Sequence, residues 1–239
     1  MNNEPTYSER LLRGGKGLLA WQRLSRFRYA CKSIEEFHPG SRCDVMIDIG
    51  AADGIAMPFL QPLAKKVIAV NYYVNHSREF LTAYPEEQCI TADARALPFD
   101  SASSDIIVSF ETLHLLPGQV AREQALRQIV RVLKPGGLFM CSVPIETGCS
   151  AIQKYITRFL TRNQLDGMTI KMALKHCLHP LYDIERYDCG RQVGFDAYRF
   201  AKAVAKVMDV LRLRPVPIPI IFPMNLVIVA RRGGGTAEG

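Results

Sequence analysis

A short apolar run that ends in an acid and a glycine limits the folds open to this chain more than any other stretch does. Val45, Met46, Ile47 and Ile49 make a segment as long as a buried parallel strand and too short for a helix. Asp48 interrupts the run two residues before Gly50, and a carboxylate placed there costs free energy unless something satisfies it. Gly50 and Gly54 bracket a tight loop whose backbone can come close to a ligand, ahead of a helix expected over residues 55–63. Pro58 is tolerable in an early turn of that helix, while Pro62 should shorten or kink it.

Strands and helices then alternate. Further strands are expected at residues 67–70, 89–91, 106–109 and 138–143, the fourth opened by Asp105. A helix with Leu126, Ile129, Val130 and Leu133 on one face is stopped by Lys134-Pro135-Gly136-Gly137 before the fifth strand. Ala197, Phe200, Ala201, Val204, Ala205 and Met208 mark another helix with Asp196 as its N-cap. Residues 216–222 and 225–230, split by Pro223-Met224, read as a closing antiparallel pair. Alternation of this kind requires parallel pairing with right-handed crossovers. The expected fold is α/β, a doubly wound, Rossmann-like, seven-stranded and mostly parallel sheet with an antiparallel last strand. Ligands bind such sheets at the carboxyl ends of the strands.

Four stretches at those ends carry a family resemblance: Asp48-x-Gly50-x-x-x-Gly54, Asp93-Ala94-Arg95-Ala96-Leu97-Pro98-Phe99, Phe110-Glu111-Thr112-Leu113-His114-Leu115-Leu116-Pro117, and Leu133-Lys134-Pro135-Gly136-Gly137. Together they resemble the class I S-adenosylmethionine-dependent methyltransferases with a type 11 methyltransferase domain, in the small-molecule and glycan group. The likeness is strong over residues 44–145 and weaker over 190–232, where Gly190 to Asp196 is similar to a glycan-type loop. The nicotinamide-binding alternative requires Gly-x-Gly-x-x-Gly, which the first loop lacks. The resemblance implies S-adenosylmethionine as cofactor, bound by Asp48, Gly50, Ala51, Ala52, Gly54, Asn71, Tyr72, Asp93, Ala94, Ser109 and Phe110. It implies no metal. His114 is the residue expected to accept a proton from the acceptor, with Glu111 as its rival; a lone histidine among leucines is also an ordinary packing residue.

Three departures from the family pattern stand out. Ala52 replaces the usual middle glycine, Asn71 replaces an acid expected on the ribose hydroxyls, and His114-Leu115 stands where a Glu-His or His-His pair is usual. An amide at 71 can still accept one hydrogen bond and donate another to a diol, though without charge assistance.

The remaining features set the surroundings. The charge of +7 is uneven: residues 1–43 carry eight basic against four acidic side chains, 44–145 eight against eleven, and 146–239 fourteen against eight. Mixed charge without a dense basic run argues for a solvated surface over a nucleic-acid interface. Residues 18–37 read as an amphipathic helix, with Ala20, Leu24, Phe27, Cys31 and Ile34 on one side and Arg23, Arg26, Arg28 and Lys32 on others. Such a helix caps a domain, or rests on a membrane surface, so peripheral membrane contact is kept open. No stretch has the length and apolarity of a membrane span, and the first residues lack a signal-peptide pattern. Seven cysteines without Cys-x-x-Cys spacing favour free thiols and a cytoplasmic setting. The expected layout is a helical cap segment over 1–43, a methyltransferase domain over 44–232 with a helical lid inserted at about 146–189, and a disordered tail over 233–239. His176, Cys177, His179 and Cys189 match no familiar zinc spacing. The expected function is methyl transfer to a small-molecule or sugar acceptor, at oxygen. Membrane-proximal methylation of a lipid-linked or surface-polysaccharide sugar is the alternative, and a catalytically degenerate binding protein the second alternative. The sequence leaves the oligomeric state undetermined.

Overall fold

A computed structural model describes residues 18–40, 42–145, 186–188, 191–193, 195–218 and 222–234. Seven strands form one sheet: β1 (Cys43–Ile49), β2 (Ala64–Asn71), β3 (Gln88–Thr91), β4 (Ser104–Phe110), β5 (Leu133–Pro144), β8 (Asp209–Ile218) and β9 (Phe222–Arg231). Their order is β3-β2-β1-β4-β5-β9-β8. The first five pair in parallel, while β9 runs antiparallel to both β5 and β8. A separate short hairpin joins β6 (Arg186–Asp188) to β7 (Arg191–Val193).

Both faces of the central strands are buried, which explains their unbroken apolar runs. On one face Ile47, Ile107, Phe139 and Ile228 pack with Leu126 and Ile129 of α4 (Gly118–Val132) and with Phe200 and Val204 of α5 (Ala197–Ala205). Neighbouring residues in the same strands, Met46, Ile106, Leu138 and Val229, point the other way. They meet Phe27, Ala30 and Ile34 of α1 (Leu18–Phe37), Met57 and Leu60 of α2 (Met57–Leu60), and Phe80 of α3 (Val74–Ala83). Asp48 has the parity of Met46, so its side chain belongs to the α1 side of the sheet.

Several expectations shift in detail. The helix after the glycine loop is only four residues long and continues as a 3₁₀ turn at Gln61–Leu63, with Pro58 and Pro62 each in the opening turn of its segment. β5 starts five residues early. Its register jumps from Ser104 opposite Leu133 to Ile106 opposite Leu138, which loops Lys134–Gly137 out of the pairing with β4. β8 runs over Asp209–Ile218 where residues 216–222 were expected; Pro215 and Pro217 are tolerated because β8 is an edge strand. Asp196 caps α5 as expected, accepting from the Tyr198 and Arg199 amides at 2.9 and 3.0 Å.

The expected helical lid falls mostly on residues 146–185, and the far end of the tail on 235–239; both lie outside the described residues, as do His176, Cys177, His179 and Cys189. Among the described residues Cys31, Cys43, Cys89 and Cys141 are free thiols, and no helix is long and apolar enough to cross a membrane. The apolar side of α1 is spent on the core, with Phe27, Ala30 and Ile34 all buried. Among the described side chains of α1, the exposed ones are charged, Arg28 and Lys32 among them.

Candidate functional site

A cavity of about 580 Å³ runs across the carboxyl ends of β3, β2, β1 and β4, well within the range of small-molecule sites. Its floor is the turn after β1. There Gly50 donates to the Val70 carbonyl at 2.7 Å, and Gly54 to Ala51 at 2.9 Å. Gly50 and Gly54 adopt φ of 85° and 90°, and Ala52, a non-glycine, takes φ 52°. The reason glycine is needed at these points is internal. A Cβ on Gly50 would stand 1.9 Å from the Thr112 hydroxyl oxygen, and one on Gly54 would stand 2.4 Å from the Tyr84 ring.

Asp48 lines the centre of the cavity and is 1% exposed. Neither carboxylate oxygen has a hydrogen-bond partner among the described residues. Burial alone pushes its pKa from 3.8 up to about 7. A buried carboxylate without donors is costly in the protein by itself and well matched to a cationic ligand group. The site therefore fits a cofactor that brings an ammonium.

Asn71 reaches the cavity wall too, but its amide is already occupied. Oδ1 accepts from the Ala52 amide at 2.8 Å, and Nδ2 donates to the Ala52 carbonyl at 2.9 Å. Two departures from the family pattern thus touch each other: the asparagine at 71 clamps the alanine at 52 in its left-handed conformation, which costs on the order of 1 kcal/mol or more. The ribose diol expected on Asn71 meets a side chain whose two N–H groups go to the Ala52 carbonyl and to Cys89 Sγ at 3.7 Å, and whose oxygen already accepts from Ala52 with one lone pair left. Asp93 also has a partner of its own. Arg95 grips both its oxygens, at 2.6–3.0 Å, and these hydrogen bonds hold the Asp93 carboxyl below the usual carboxylate range. Tyr72 and its neighbour Tyr73 form an exposed edge-to-face pair at the rim, ring centroids 5.1 Å apart.

Of the expected residues, Asp48, Gly50, Ala51, Ala52, Asn71, Tyr72, Asp93, Ala94, Phe110 and Glu111 line the cavity. Gly54, Ser109 and His114 do not. Ser109 is fully buried, its hydroxyl donating to the Ile49 carbonyl at 3.0 Å, which ties β4 to β1. His114 sits on the 3₁₀ turn Leu113–Leu115 and sets its ring edge-on to Phe195, centroids 5.8 Å apart. The turn carries it to the α5 side of the sheet end, away from the cavity.

Glu111 is placed differently. It takes φ 54°, a strained value for a glutamate, and its Oε1 accepts from Asn225 Nδ2 at 2.5 Å and from Ser142 Oγ at 3.4 Å. Arg26, Phe27, Tyr73 and His76 also line the cavity and were not foreseen. Among the described residues no group of three or more His, Cys, Asp or Glu side chains is placed to hold a metal.

Residues 47–141 match a family model described as a methyltransferase domain. A probable S-adenosylmethionine-dependent methyltransferase of Mycobacterium tuberculosis is 28% identical over 130 residues, covering 52% of this chain and 46% of that protein. The chain thus spans about half the length of the curated relatives it matches. Among solved structures, a putative S-adenosylmethionine-dependent methyltransferase from Methanococcus maripaludis superposes with a TM-score of 0.60 at 15% identity, covering 96% of this chain and 92% of that one. A putative methyltransferase in complex with the Trm112 activator of Haloferax volcanii gives 0.56 at 16% identity, covering 90% and 98%. These structural likenesses establish the shared fold.

Proposed function

We propose that this chain is a class I S-adenosylmethionine-dependent methyltransferase that binds S-adenosylmethionine and transfers a methyl group to an oxygen of a small-molecule or sugar acceptor. Asp48 carries the reading: it is a buried carboxylate with no donor of its own, in a ligand-sized cavity at the strand ends. The methionyl ammonium is the group it would hold, while Ala51 and Ala52 line the loop beside it. The bound cofactor supplies an electrophilic methyl on sulfur, open to in-line attack.

The protein's own contribution is alignment and proton handling. Aligning donor and acceptor supplies much of the rate in a transfer of this kind. An alcohol acceptor must also lose its proton. Glu111, on the cavity wall at the end of β4, is the group we assign to take it, a contribution of about 10²- to 10⁴-fold. Asn225 and Ser142 hold one carboxylate oxygen, which fixes the orientation of the other. His114 is left in packing against Phe195.

Titration calorimetry with S-adenosylmethionine and S-adenosylhomocysteine tests the reading. The intact protein is expected to bind both. Binding of neither would leave a methyltransferase fold that has lost its cofactor. With binding in hand, release of S-adenosylhomocysteine against a panel of hydroxylated small molecules and sugars identifies the acceptor.

A further inference from the structure

Arg26 is the second buried charge in this cavity, and it lies outside the segment matched by the family model. It is 6% exposed, and its Nε has no hydrogen-bond partner among the described residues. Its guanidinium carbon lies 4.8 Å from the ring centre of the adjacent Phe27, and no acidic side chain among the described residues pairs with it. A guanidinium stays charged at any working pH and offers a planar fork of donors suited to a carboxylate. Burying one without an anion is costly, so such a residue points to a ligand.

Its place along the cavity is set by the sheet. The wall runs from Asp93 after β3, through Tyr72 after β2 and Asp48 after β1, to Phe110 after β4. Phe27, next to Arg26, meets Phe110 edge-on at 4.9 Å and shares an apolar cluster with Ala51 and Ala56. Arg26 therefore enters at the β1–β4 end, on the same face of the sheet as Asp48, and at the far end from Asp93. The two opposite charges share one cavity without pairing to each other. An unpaired carboxylate and an unpaired guanidinium lining one cavity suit a ligand end that carries both an ammonium and a carboxylate.

We propose that Arg26 binds the α-carboxylate at the methionyl end of the cofactor, so that α1 forms part of the cofactor site. This rests on the reading that the cavity takes S-adenosylmethionine. A carboxylate or phosphate on the acceptor would offer the same chemistry, and the test must separate the two sources.

Three probes that differ only at the amino-acid end do so: S-adenosylhomocysteine, its decarboxylated analogue, and 5′-methylthioadenosine, which lacks both charged groups. Affinities are measured by calorimetry on the full chain and on Arg26→Met and Arg26→Lys. Loss of the charge-assisted fork is expected to weaken S-adenosylhomocysteine on the order of 30-fold in Arg26→Met. Affinity for 5′-methylthioadenosine should stay within about twofold, and Arg26→Lys should recover part of the loss. The unmodified protein should itself prefer S-adenosylhomocysteine over the decarboxylated analogue by at least about tenfold, a preference that vanishes in Arg26→Met. That comparison holds even if a variant folds poorly, because its first arm needs no variant. Equal affinity of Arg26→Met and the unmodified protein for S-adenosylhomocysteine would overturn the proposal and assign the guanidinium to the acceptor. Parallel loss of 5′-methylthioadenosine would overturn it in favour of packing. Failure of the unmodified protein to bind any of the three would refute the cofactor reading instead.

Discussion

Replacing Asp48 with asparagine is expected to make the ligand-free protein more stable and the cofactor weaker. The carboxylate is fully buried, has no donor among the described residues, and is pushed by burial from 3.8 up to about 7. The folded state therefore keeps a proton that the unfolded chain releases from about pH 4 upward. Stability falls as pH rises through the window from about 4 to about 7, and levels off above it. Three units at about 1.4 kcal/mol each make the cost on the order of 4 kcal/mol. An asparagine there still buries an unsatisfied amide, at about 1–3 kcal/mol, so the net gain at pH 8 is on the order of 1–3 kcal/mol. For a chain of this size that is a rise in melting temperature of about 2–10 °C. Calorimetry at pH 5 and pH 8 checks it: the two proteins should melt alike at pH 5 and diverge at pH 8. Affinity for S-adenosylhomocysteine should fall at least about tenfold in the variant, or about 1.4 kcal/mol. In the unmodified protein, protonation of Asp48 should weaken binding roughly eightfold between pH 7.4 and pH 6, with a second decline at high pH as the ligand's amine loses its proton. An Asp48→Asn protein that melts no higher at pH 8, or that binds as tightly, would refute the reasoning.

Asn71→Asp should weaken cofactor binding about tenfold and lower the melting temperature, because the new carboxylate cannot donate to the Ala52 carbonyl and faces it with like polarity; an Ala52→Gly change alongside should restore part of the loss, and binding at least as tight in the single variant would return Asn71 to the ribose. Gly50→Ala should destabilise the ligand-free protein by a few kcal/mol through contact with Thr112 and the φ of 85°, with partial rescue by Thr112→Gly, both seen in melting curves without ligand. Once an acceptor is known, Glu111→Gln should cut turnover by about 10²-fold or more with S-adenosylhomocysteine affinity kept, whereas His114→Ala should change melting temperature more than turnover.

How far the residues could be read in advance follows from what burial does to a sequence. The sheet was legible because its inner strands are covered on both sides, so that runs such as Val45 to Ile49 and Leu138 to Val143 stay apolar. Asp48 was legible for the opposite reason, as a charge where every neighbour is apolar. Asn71 was placed at the right strand end, and its bonds to the Ala52 backbone were not foreseen. Position along a strand fixes which edge a side chain reaches, and says nothing of a backbone carbonyl 19 residues earlier that claims it. Glu111 and His114 differ in placement through one left-handed residue and a 3₁₀ turn, which leave Glu111 on the cavity wall and His114 against Phe195. Arg26 was read as part of a solvated face. Its neighbours Arg28 and Lys32 do face water, and only the docking of α1 against Phe110 and the glycine loop turns the third cation inward.

That docking also sets an order of events during synthesis. α1 leaves the ribosome early, yet much of the surface that receives it is made last. Glu36 pairs with Arg212 of β8 at 2.5 Å, Arg231 of β9 donates to the Phe37 carbonyl at 2.7 Å, and Val227 and Val229 pack in the same cluster as Phe27 and Ile34. Since β9 also lies between β5 and β8, the nascent chain holds the glycine loop, Asp48 and Glu111 long before it can complete the sheet beside them. The C-terminal end of α1 must wait for β8 and β9, a long closure that is entropically slow to make. Phe27 meets Phe59 and Phe110, so the wall beside Arg26 has its own partners before β8 and β9 arrive to hold the far end of the helix. A fragment ending near residue 145 would keep the sequence motifs and lack the strands that hold the C-terminal end of α1.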